Sequence, residues 1–297
     1  MSGGLPIPRR KIARELTHII NAPVSEVLSQ IGGVTSHATH RIGIAGPAGS
    51  GKSTLISALT AHRFQKGDVE TIAVLAIDPS SPISGGSILG DRIRMDAIAD
   101  QRGLYIRSVP SRGAKNGLCD NVVDLLATLD RHVFDEIILE TVGIGQSQLD
   151  VRELVDTVVL VVPPDAGDSI QAMKAGVIEI ADIFVVTKSE KPEAMQMASQ
   201  IQSVLESSRG ARGLWDPPVI MTKADGTGVA GLSAAIDKHQ DWSKGVLNEE
   251  EIEARRRRYH LKALDARQVD EILAAESDIT RGDLQSSYAR LLHNLNQ

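Results

Sequence analysis

The chain has 297 residues and a formal net charge of −6 at pH 7, with 42% hydrophobic and 24% charged residues. That composition is ordinary for a globular protein, and the negative balance argues against non-specific binding to nucleic acid. A single cysteine, Cys119, excludes internal disulfides and zinc motifs built from several cysteines. No run reaches the roughly 18 apolar residues of a membrane span, and no signal-peptide core is present. We therefore expect a cytoplasmic protein that binds neither membranes nor nucleic acids.

Two helices are predicted at the start of the chain. Apolar positions recur at helical spacing from Arg9 to Ile31, and Pro23 suits the first position of the second helix. We assign residues 1–40 to this N-terminal extension. It is too short to fold alone, so we expect it to pack on the domain that follows.

A glycine-rich loop follows the first predicted strand, within the sequence RIGIAGPAGSGKSTLISAL (Arg41–Leu59). It matches GxxxxGK[ST], with an apolar strand before it and a helix-forming run after it. Backbone N–H groups of such a loop, and the positive end of the helix, surround phosphate oxygens. Lys52 would bridge the outer phosphates, and the Ser53 hydroxyl would hold Mg²⁺. The pattern predicts a nucleoside triphosphate site with the contacting residues Gly49, Ser50, Gly51, Lys52, Ser53 and Thr54.

Six further apolar runs predict the rest of a sheet. They do not alternate with polar residues, which is typical of strands buried on both faces. The runs are Thr71–Ile77, a weaker Tyr105–Val109, Glu136–Leu139, Thr157–Val162, Ile183–Val186 and Val219–Met221. Helical patterns separate most of them, so we predict an α/β fold over residues 41–245. This P-loop GTPase domain would have a doubly wound, mostly parallel sheet with its sites at the carboxyl ends of the strands.

A helical arm is predicted for residues 246–297. Asn248 and Glu251 resemble a capping box, and a charged helical pattern runs to about Glu276. A second helix is expected over Asp283–Leu295. Acidic residues flank the basic run Arg255–Arg258, so we interpret it as a solvated or intersubunit helix face rather than a nucleic-acid site. We expect the arm to contact a partner subunit.

Three acidic residues are candidates to hold Mg²⁺ beside Ser53. Mg²⁺ prefers oxygen ligands, and a phosphate loop needs carboxylates at neighbouring strand ends. Asp78 ends the second predicted strand, Asp91 lies in a glycine-containing loop, and Glu140 follows the strand Glu136–Leu139. The predicted metal ligands are therefore Ser53, Asp78, Asp91 and Glu140.

A γ-phosphate sensor is predicted directly after the last of these acids. Glu140-Thr141-Val142-Gly143 has the acidic-x-x-Gly pattern by which the glycine N–H of a G protein contacts the γ-phosphate. In Ras-like proteins a glutamine that orients water follows this glycine, but here Ile144 follows. We therefore expect a GTPase whose hydrolysis of GTP to GDP and phosphate is slow without a group supplied by a partner or a moved loop.

Base recognition is expected after the strand Ile183–Val186. Guanine-binding proteins place Asn-Lys-x-Asp there, whereas this chain has Thr187-Lys188-Ser189-Glu190. The Glu190 carboxylate can accept the guanine N1–H and the N2 amine, and Lys188 can cover the base. Thr187 lacks the amide that would contact N7 and brace the neighbouring loops, which leaves the strength of guanine selection open.

A second, similar tetrad follows the last predicted strand. Thr222-Lys223-Ala224-Asp225 is similar in residue types to Asn-Lys-x-Asp, but it follows the last strand. At that position guanine-binding proteins contact the oxygen of the base through a backbone group. We assign Thr222, Lys223 and Ala224 to that contact.

Three longer stretches carry a resemblance to a known family. They are AIDPSSPISGGSILGDRIRM (Ala76–Met95), ETVGIGQSQLD (Glu140–Asp150) and PPDAGDSIQAMKAG (Pro163–Gly176). With them, nearly the whole chain resembles the G-protein chaperones of adenosylcobalamin-dependent acyl-CoA mutases. That group includes the methylmalonyl-CoA mutase-associated protein and was formerly labelled an arginine/ornithine transport kinase.

The resemblance implies roles that the motifs alone do not give. Arg94 would approach the phosphates, Asp78–Met95 would be a first switch, and the loop after Glu140 a second. Asp165–Lys174 would be a third switch, in which Lys174 links the nucleotide state to the partner. The implied protein is a homodimer that docks on the cobalamin-binding domain of its mutase. It would use GTP, GDP and Mg²⁺ to gate the loading, removal or protection of the adenosylcobalamin cofactor.

Two alternatives stay open at the level of sequence. A P-loop kinase or general NTPase would need an arginine-bearing lid, for which Arg92, Arg94, Arg107 and Arg112 are available, but it would not need a γ-phosphate sensor. A nickel-delivery GTPase would need clustered thiols and imidazoles. The eight histidines and Cys119 are scattered, although His37 and His40 are close in sequence.

Overall fold

Seven parallel strands form the centre of the part of the molecule that the structure describes. The computed structural model describes residues 7–31, 39–78, 98, 100–111, 118–141, 147–165, 180–207, 215–276 and 278–295. The strands are β1 (His40–Ala45), β2 (Ile72–Asp78), β3 (Leu104–Pro110), β4 (Glu136–Glu140), β5 (Thr157–Val162), β6 (Ile183–Val186) and β7 (Val219–Met221). They lie in the order β3-β2-β4-β1-β5-β6-β7, and every neighbouring pair is parallel. The predicted α/β fold is confirmed, and all strand carboxyl ends meet at one edge.

Helices cover both faces of this sheet. Those within the described residues are α1 (Arg9–Asn21), α2 (Val24–Ile31), α3 (Lys52–Lys66), α4 (Val122–Asp130), α5 (Ser147–Leu154), α6 (Glu193–Ser207), α7 (Val229–Val246), α8 (Glu249–Ala275) and α9 (Leu284–Leu295). Among the same residues we find no helix with the length and apolarity that crossing a membrane requires.

The alternation of side chains along each strand creates apolar cores on both faces of the sheet, two of which meet at β4, while a third cluster lies between β5, β6 and α6. On β4, Ile137 and Leu139 point into the core beneath α1, α4 and α5, while Ile138 points into the core beneath α3 and α7. Both faces are therefore apolar, which explains why the strand sequences are continuous hydrophobic runs.

The N-terminal helices pack on the first of these cores, as expected for a segment too short to fold alone. Ile12, Leu16 and Ile19 of α1 are fully buried in it. The Asn121 amide also donates to the Ile19 carbonyl oxygen at 3.0 Å. The extension is thus part of the same folded unit as the sheet.

Helix α8 is held against the domain by charged residues. Arg256 Nη2 lies 2.6 Å from Asp156 Oδ1, and Arg255 Nη2 donates to the Val155 carbonyl oxygen at 3.4 Å. The basic run was expected to be a solvated or intersubunit helix face, and this expectation is wrong for Arg255 and Arg256. Arg257 and Arg258 are exposed.

The start of α8 also differs from the expected capping box. Asn248 Oδ1 accepts a hydrogen bond from the Glu250 N–H at 3.0 Å, one position earlier than the box requires. The side chain still satisfies one of the unpaired N–H groups at the helix start.

Candidate nucleotide site

The predicted site residues that the structure describes lie at the carboxyl edge of the sheet. The phosphate loop follows β1, Asp78 ends β2 and Glu140 ends β4. Thr187 follows β6, and Thr222 follows β7. Because the sheet is parallel, segments far apart in sequence are brought to the same edge.

Glycines allow the phosphate loop to close tightly over this edge. A Cβ on Gly46 would lie 2.4 Å from the Val161 carbonyl oxygen, a contact that no other residue type could accommodate without movement. Gly51 adopts a positive φ of 91° as the N-cap of α3, a conformation that favours glycine. The loop is thereby built to bring backbone N–H groups and the start of α3 to a common point.

Two polar side chains of the loop suit an anionic ligand. Ser50 is fully buried, and its hydroxyl has no hydrogen-bond partner among the described residues. Lys52 is also buried, and its ammonium donates to the Gly46 and Pro47 carbonyl oxygens, both at 3.0 Å. A hydroxyl donor and an ammonium beside a helix N-terminus match the oxygens of a phosphate group.

The candidate metal ligands Ser53, Asp78 and Glu140 are all buried. Ser53 Oγ donates to Glu140 Oε1 at 2.9 Å, although 87 residues separate them. Asp78 is 1% exposed at the end of β2, the strand that pairs with β4. Hydroxyl and carboxylate oxygens are the donors that Mg²⁺ prefers, so these residues fit that ion.

The described residues contain no group of three His, Cys, Asp or Glu side chains placed to hold a metal ion. Mg²⁺ in nucleotide sites takes most of its ligands from phosphates and water, with only one or two carboxylates.

The loop after β6 contacts the phosphate loop directly. Thr187 Oγ1 donates to the Ser50 carbonyl oxygen at 2.6 Å, and Lys188 Nζ donates to the Gly49 carbonyl oxygen at 3.2 Å. The expectation that Thr187 leaves the neighbouring loops unbraced is therefore wrong. The Thr187 hydroxyl makes the contact between loops that an asparagine amide makes in the usual guanine-binding pattern. Because a threonine hydroxyl can also donate a hydrogen bond, its presence in the sequence was a signal that could have indicated this contact.

The two similar tetrads have different environments. Glu190 is exposed on the loop after β6. In the second tetrad, Asp225 Oδ1 accepts the Thr227 N–H at 2.8 Å, and hydrogen bonds from Thr227 lower the pKa of this carboxyl. The Asp225 carboxylate thus stabilises its own turn.

Backbone hydrogen bonds tie the second tetrad to the first. The Thr222 N–H donates to the Val186 carbonyl oxygen at 2.8 Å, and the Thr222 carbonyl oxygen accepts from the Ser189 N–H at 3.1 Å. Lys223 and Ala224 are exposed beside this junction.

Four predicted site residues lie outside the described residues, namely Asp91, Arg94, Gly143 and Lys174. The start of the expected third switch is described. Asp165 lies 3.4 Å from Lys191 Nζ, and its backbone N–H together with this lysine lowers the pKa of its carboxyl.

The phosphate loop follows a central parallel strand, and buried acids lie at two neighbouring strand ends. This arrangement places the chain among the P-loop nucleotide-hydrolysing proteins. Comparison with known proteins identifies the group. The family model described as "Methylmalonyl Co-A mutase-associated GTPase MeaB" matches residues 13–278. The chain belongs to this family and is a GTPase.

Individual relatives agree with this assignment. The chain is 36% identical over 290 residues to a Pyrococcus abyssi protein named as a GTPase, covering 95% of this chain and 87% of that protein. It is 35% identical over 225 residues to the mouse mitochondrial methylmalonic aciduria type A homolog, covering 75% of this chain and about half (53%) of the mouse protein.

A solved structure supports the fold. The crystal structure titled LAO/AO transport system kinase superposes with a TM-score of 0.67 at 22% identity, covering 98% of this chain and 94% of that one. At this identity the likeness concerns the fold alone.

Proposed function

We propose that the chain is a Mg²⁺-dependent, guanine-selective switch that gates adenosylcobalamin loading, removal or protection on a B12-dependent acyl-CoA mutase. The observation that carries the proposal is the match of residues 13–278 to a family of mutase-associated GTPases. The hydrogen bond between Ser53 and Glu140 adds a chemical reason, because it joins the phosphate loop to the strand end that precedes the γ-phosphate sensor.

The roles of the site residues follow from the chemistry of GTP. Ser53, Asp78 and Glu140, with Asp91, would hold Mg²⁺, which when bound neutralises charge on the outer phosphates. The Lys52 ammonium would exchange its two carbonyl partners for phosphate oxygens.

The switch elements complete the proposed site. Arg94 would approach the phosphates from the first switch, and the Gly143 N–H would contact the γ-phosphate. Lys174 would link the nucleotide state to the mutase from the third switch. Contacts to the γ-phosphate would order these loops, and hydrolysis would release them.

Hydrolysis by the protein alone is proposed to be slow, because Ile144 stands where a water-orienting glutamine is placed in Ras-like proteins. Steady-state phosphate release should therefore rise when the partner is added. Rapid turnover by the isolated protein would contradict this part of the proposal.

The partner is tested by measuring phosphate release with purified methylmalonyl-CoA mutase, both free of cobalamin and loaded with it. We expect mutase to accelerate GTP hydrolysis, and we expect the two mutase forms to differ. Ser53→Ala serves as the control because it removes a proposed Mg²⁺ ligand and should abolish the acceleration. The proposal would be overturned if B12-dependent mutases neither bound the protein nor accelerated its GTP hydrolysis. Transfer of the γ-phosphate to a small molecule or protein would favour the P-loop kinase instead.

The C-terminal arm is proposed to form a homodimer. Helix α9 has no buried residue, and Leu284, Tyr288 and Leu292 are 86%, 60% and 43% exposed. Their spacing of four places them on one face of the helix. A second copy of the chain would cover this face, since contiguous exposed apolar residues typically mark an interface.

The oligomeric state can be measured by sedimentation at several protein concentrations. We expect a dimer for the parent protein and a monomer for the double variant Leu284→Ser, Leu292→Ser. The neighbouring Gln285→Ser, also on an exposed position, should leave the dimer intact. A parent protein that sediments as a monomer throughout would refute this interface.

A further inference from the structure

Two consecutive residues after β6 hold two consecutive carbonyl groups of the phosphate loop. Thr187 Oγ1 is 2.6 Å from the Ser50 carbonyl oxygen, and Lys188 Nζ is 3.2 Å from the Gly49 carbonyl oxygen. Thr187 is only 6% exposed, and its methyl group would lie 3.7 Å from a Cβ placed on Gly51. The threonine therefore fits against the start of α3 as well as bonding to the loop.

The backbone of this segment is fixed independently of these side chains. The Thr187 N–H donates to the Val162 carbonyl oxygen at 3.2 Å, and the Ser189 N–H donates to the Thr222 carbonyl oxygen at 3.1 Å. Lys188 has a positive φ of 52°, which is uncommon for a residue other than glycine and is maintained only where its surroundings determine it. The turn thus directs both side chains back onto the phosphate loop.

The Thr187 hydroxyl has one proton, and that proton is committed. A carbonyl oxygen only accepts hydrogen bonds, so in the contact with Ser50 the threonine must be the donor. The lone pairs that remain on Oγ1 can only accept. Guanine N7 is itself an acceptor, and Thr187 therefore has no proton to give it.

We infer that Thr187 is a positioning residue of the phosphate loop and that this chain binds guanine nucleotides without reading purine N7 through it. The inference rests on the proposed guanine-nucleotide function and specifies how the base is selected. Selection is left to the Watson–Crick edge of the base, where Glu190 provides a carboxylate acceptor.

The test compares GDP with 7-deaza-GDP, in which a carbon replaces N7, by calorimetric titration with Mg²⁺ present. For the parent protein we expect the two dissociation constants to agree within about twofold. Thr187→Asn supplies an amide donor and should create a preference for GDP over 7-deaza-GDP. A parent protein that binds 7-deaza-GDP more than about fivefold weaker than GDP would overturn the inference.

The positioning role is tested with a matched pair of variants. Thr187→Val removes the proton and leaves the Ser50 carbonyl group without its donor. Without that donor the phosphate loop is held less firmly in the conformation that receives the phosphates, so we expect about a tenfold loss of affinity, equal for GDP and 7-deaza-GDP. Thr187→Ser keeps the donor and should bind as the parent protein does. Full affinity in Thr187→Val, shown to be folded by its thermal melt, would refute the positioning role.

These outcomes separate the inference from the proposed function. Absence of GDP binding by the parent protein would refute guanine-nucleotide binding itself, and with it the inference. Tight GDP binding combined with discrimination against 7-deaza-GDP would leave the proposed function intact and refute the inference alone.

Discussion

His40 provides a quantitative prediction about stability, at the opposite edge of the sheet from the nucleotide site. It begins β1 and is 4% exposed. Its Nε2 lies 2.9 Å from Thr157 Oγ1, which in turn lies 2.8 Å from His239 Nδ1. Burial lowers the pKa of His40 from 6.5 to about 4, and the positive charge of Arg63 adds to the effect while Asp156 opposes it.

The sign of the pH dependence follows from proton binding in the two states. Between pH 6.5 and pH 4 the unfolded chain protonates His40 while the folded protein keeps it neutral, so acid favours unfolding. The stabilisation is fully present above pH 6.5 and is lost as the pH falls towards 4. The whole difference corresponds to about 3 kcal/mol, of which about 2 kcal/mol falls between pH 7 and pH 5.

The perturbation is His40→Gln, which keeps a hydrogen-bonding group near Thr157 but cannot take up this proton. Urea unfolding can be followed by tryptophan fluorescence, because both tryptophans, Trp215 and Trp242, pack against His239 with ring centroids 4.8 and 5.5 Å from it. We expect the parent protein to lose about 2 kcal/mol more than the variant between pH 7 and pH 5. Parallel pH profiles for the two proteins would refute the reasoning.

Three further predictions concern single residues. Gly43→Ala would place a Cβ 2.5 Å from Val151 Cγ1. Such overpacking should lower the free energy of unfolding by about 1–3 kcal/mol, measured by urea titration. An unchanged unfolding midpoint would contradict the packing of β1 against α5. Val133 is 66% exposed and has a φ of 53°, so Val133→Gly should relieve backbone strain. We expect the free energy of unfolding to rise by up to about 1 kcal/mol, because the flexibility of glycine in the unfolded chain offsets part of the gain. A lower melting temperature would argue against strain at this position. Ser53→Ala should raise the Mg²⁺ concentration needed for half-maximal GTP binding by about tenfold, since it removes a proposed metal ligand that also donates to Glu140. A Mg²⁺ titration identical to that of the parent protein would exclude Ser53 from the metal site.

The strands could be predicted from the sequence because both faces of the sheet are buried. A run such as Thr157–Val162 is apolar at most positions and rich in β-branched residues, which is typical of a short strand buried on both faces of a parallel sheet. The proximity of Ser53 and Glu140 could also be anticipated, because a parallel sheet brings strand ends to one edge whatever the separation in sequence.

Side-chain contacts across long separations could not be predicted. Thr187 and Ser50 are 137 residues apart, and the local sequence Thr187-Lys188-Ser189-Glu190 shows only that the asparagine amide of the guanine-binding pattern is missing. The contacts of the basic run on α8 could not be predicted for a related reason. Its composition suggested a solvated face, whereas Asp156, at the start of β5, provides a partner for Arg256 that the local sequence does not reveal.

The central claim, a guanine-nucleotide switch at the carboxyl edge of the sheet, is tested most directly by competition. GTP, GDP and ATP would each displace a fluorescent guanine nucleotide in the presence of Mg²⁺, from the parent protein and from Glu190→Ala. We predict that GTP and GDP compete far better than ATP and that this preference collapses in the variant. Equal or better competition by ATP in the parent protein would contradict the claim.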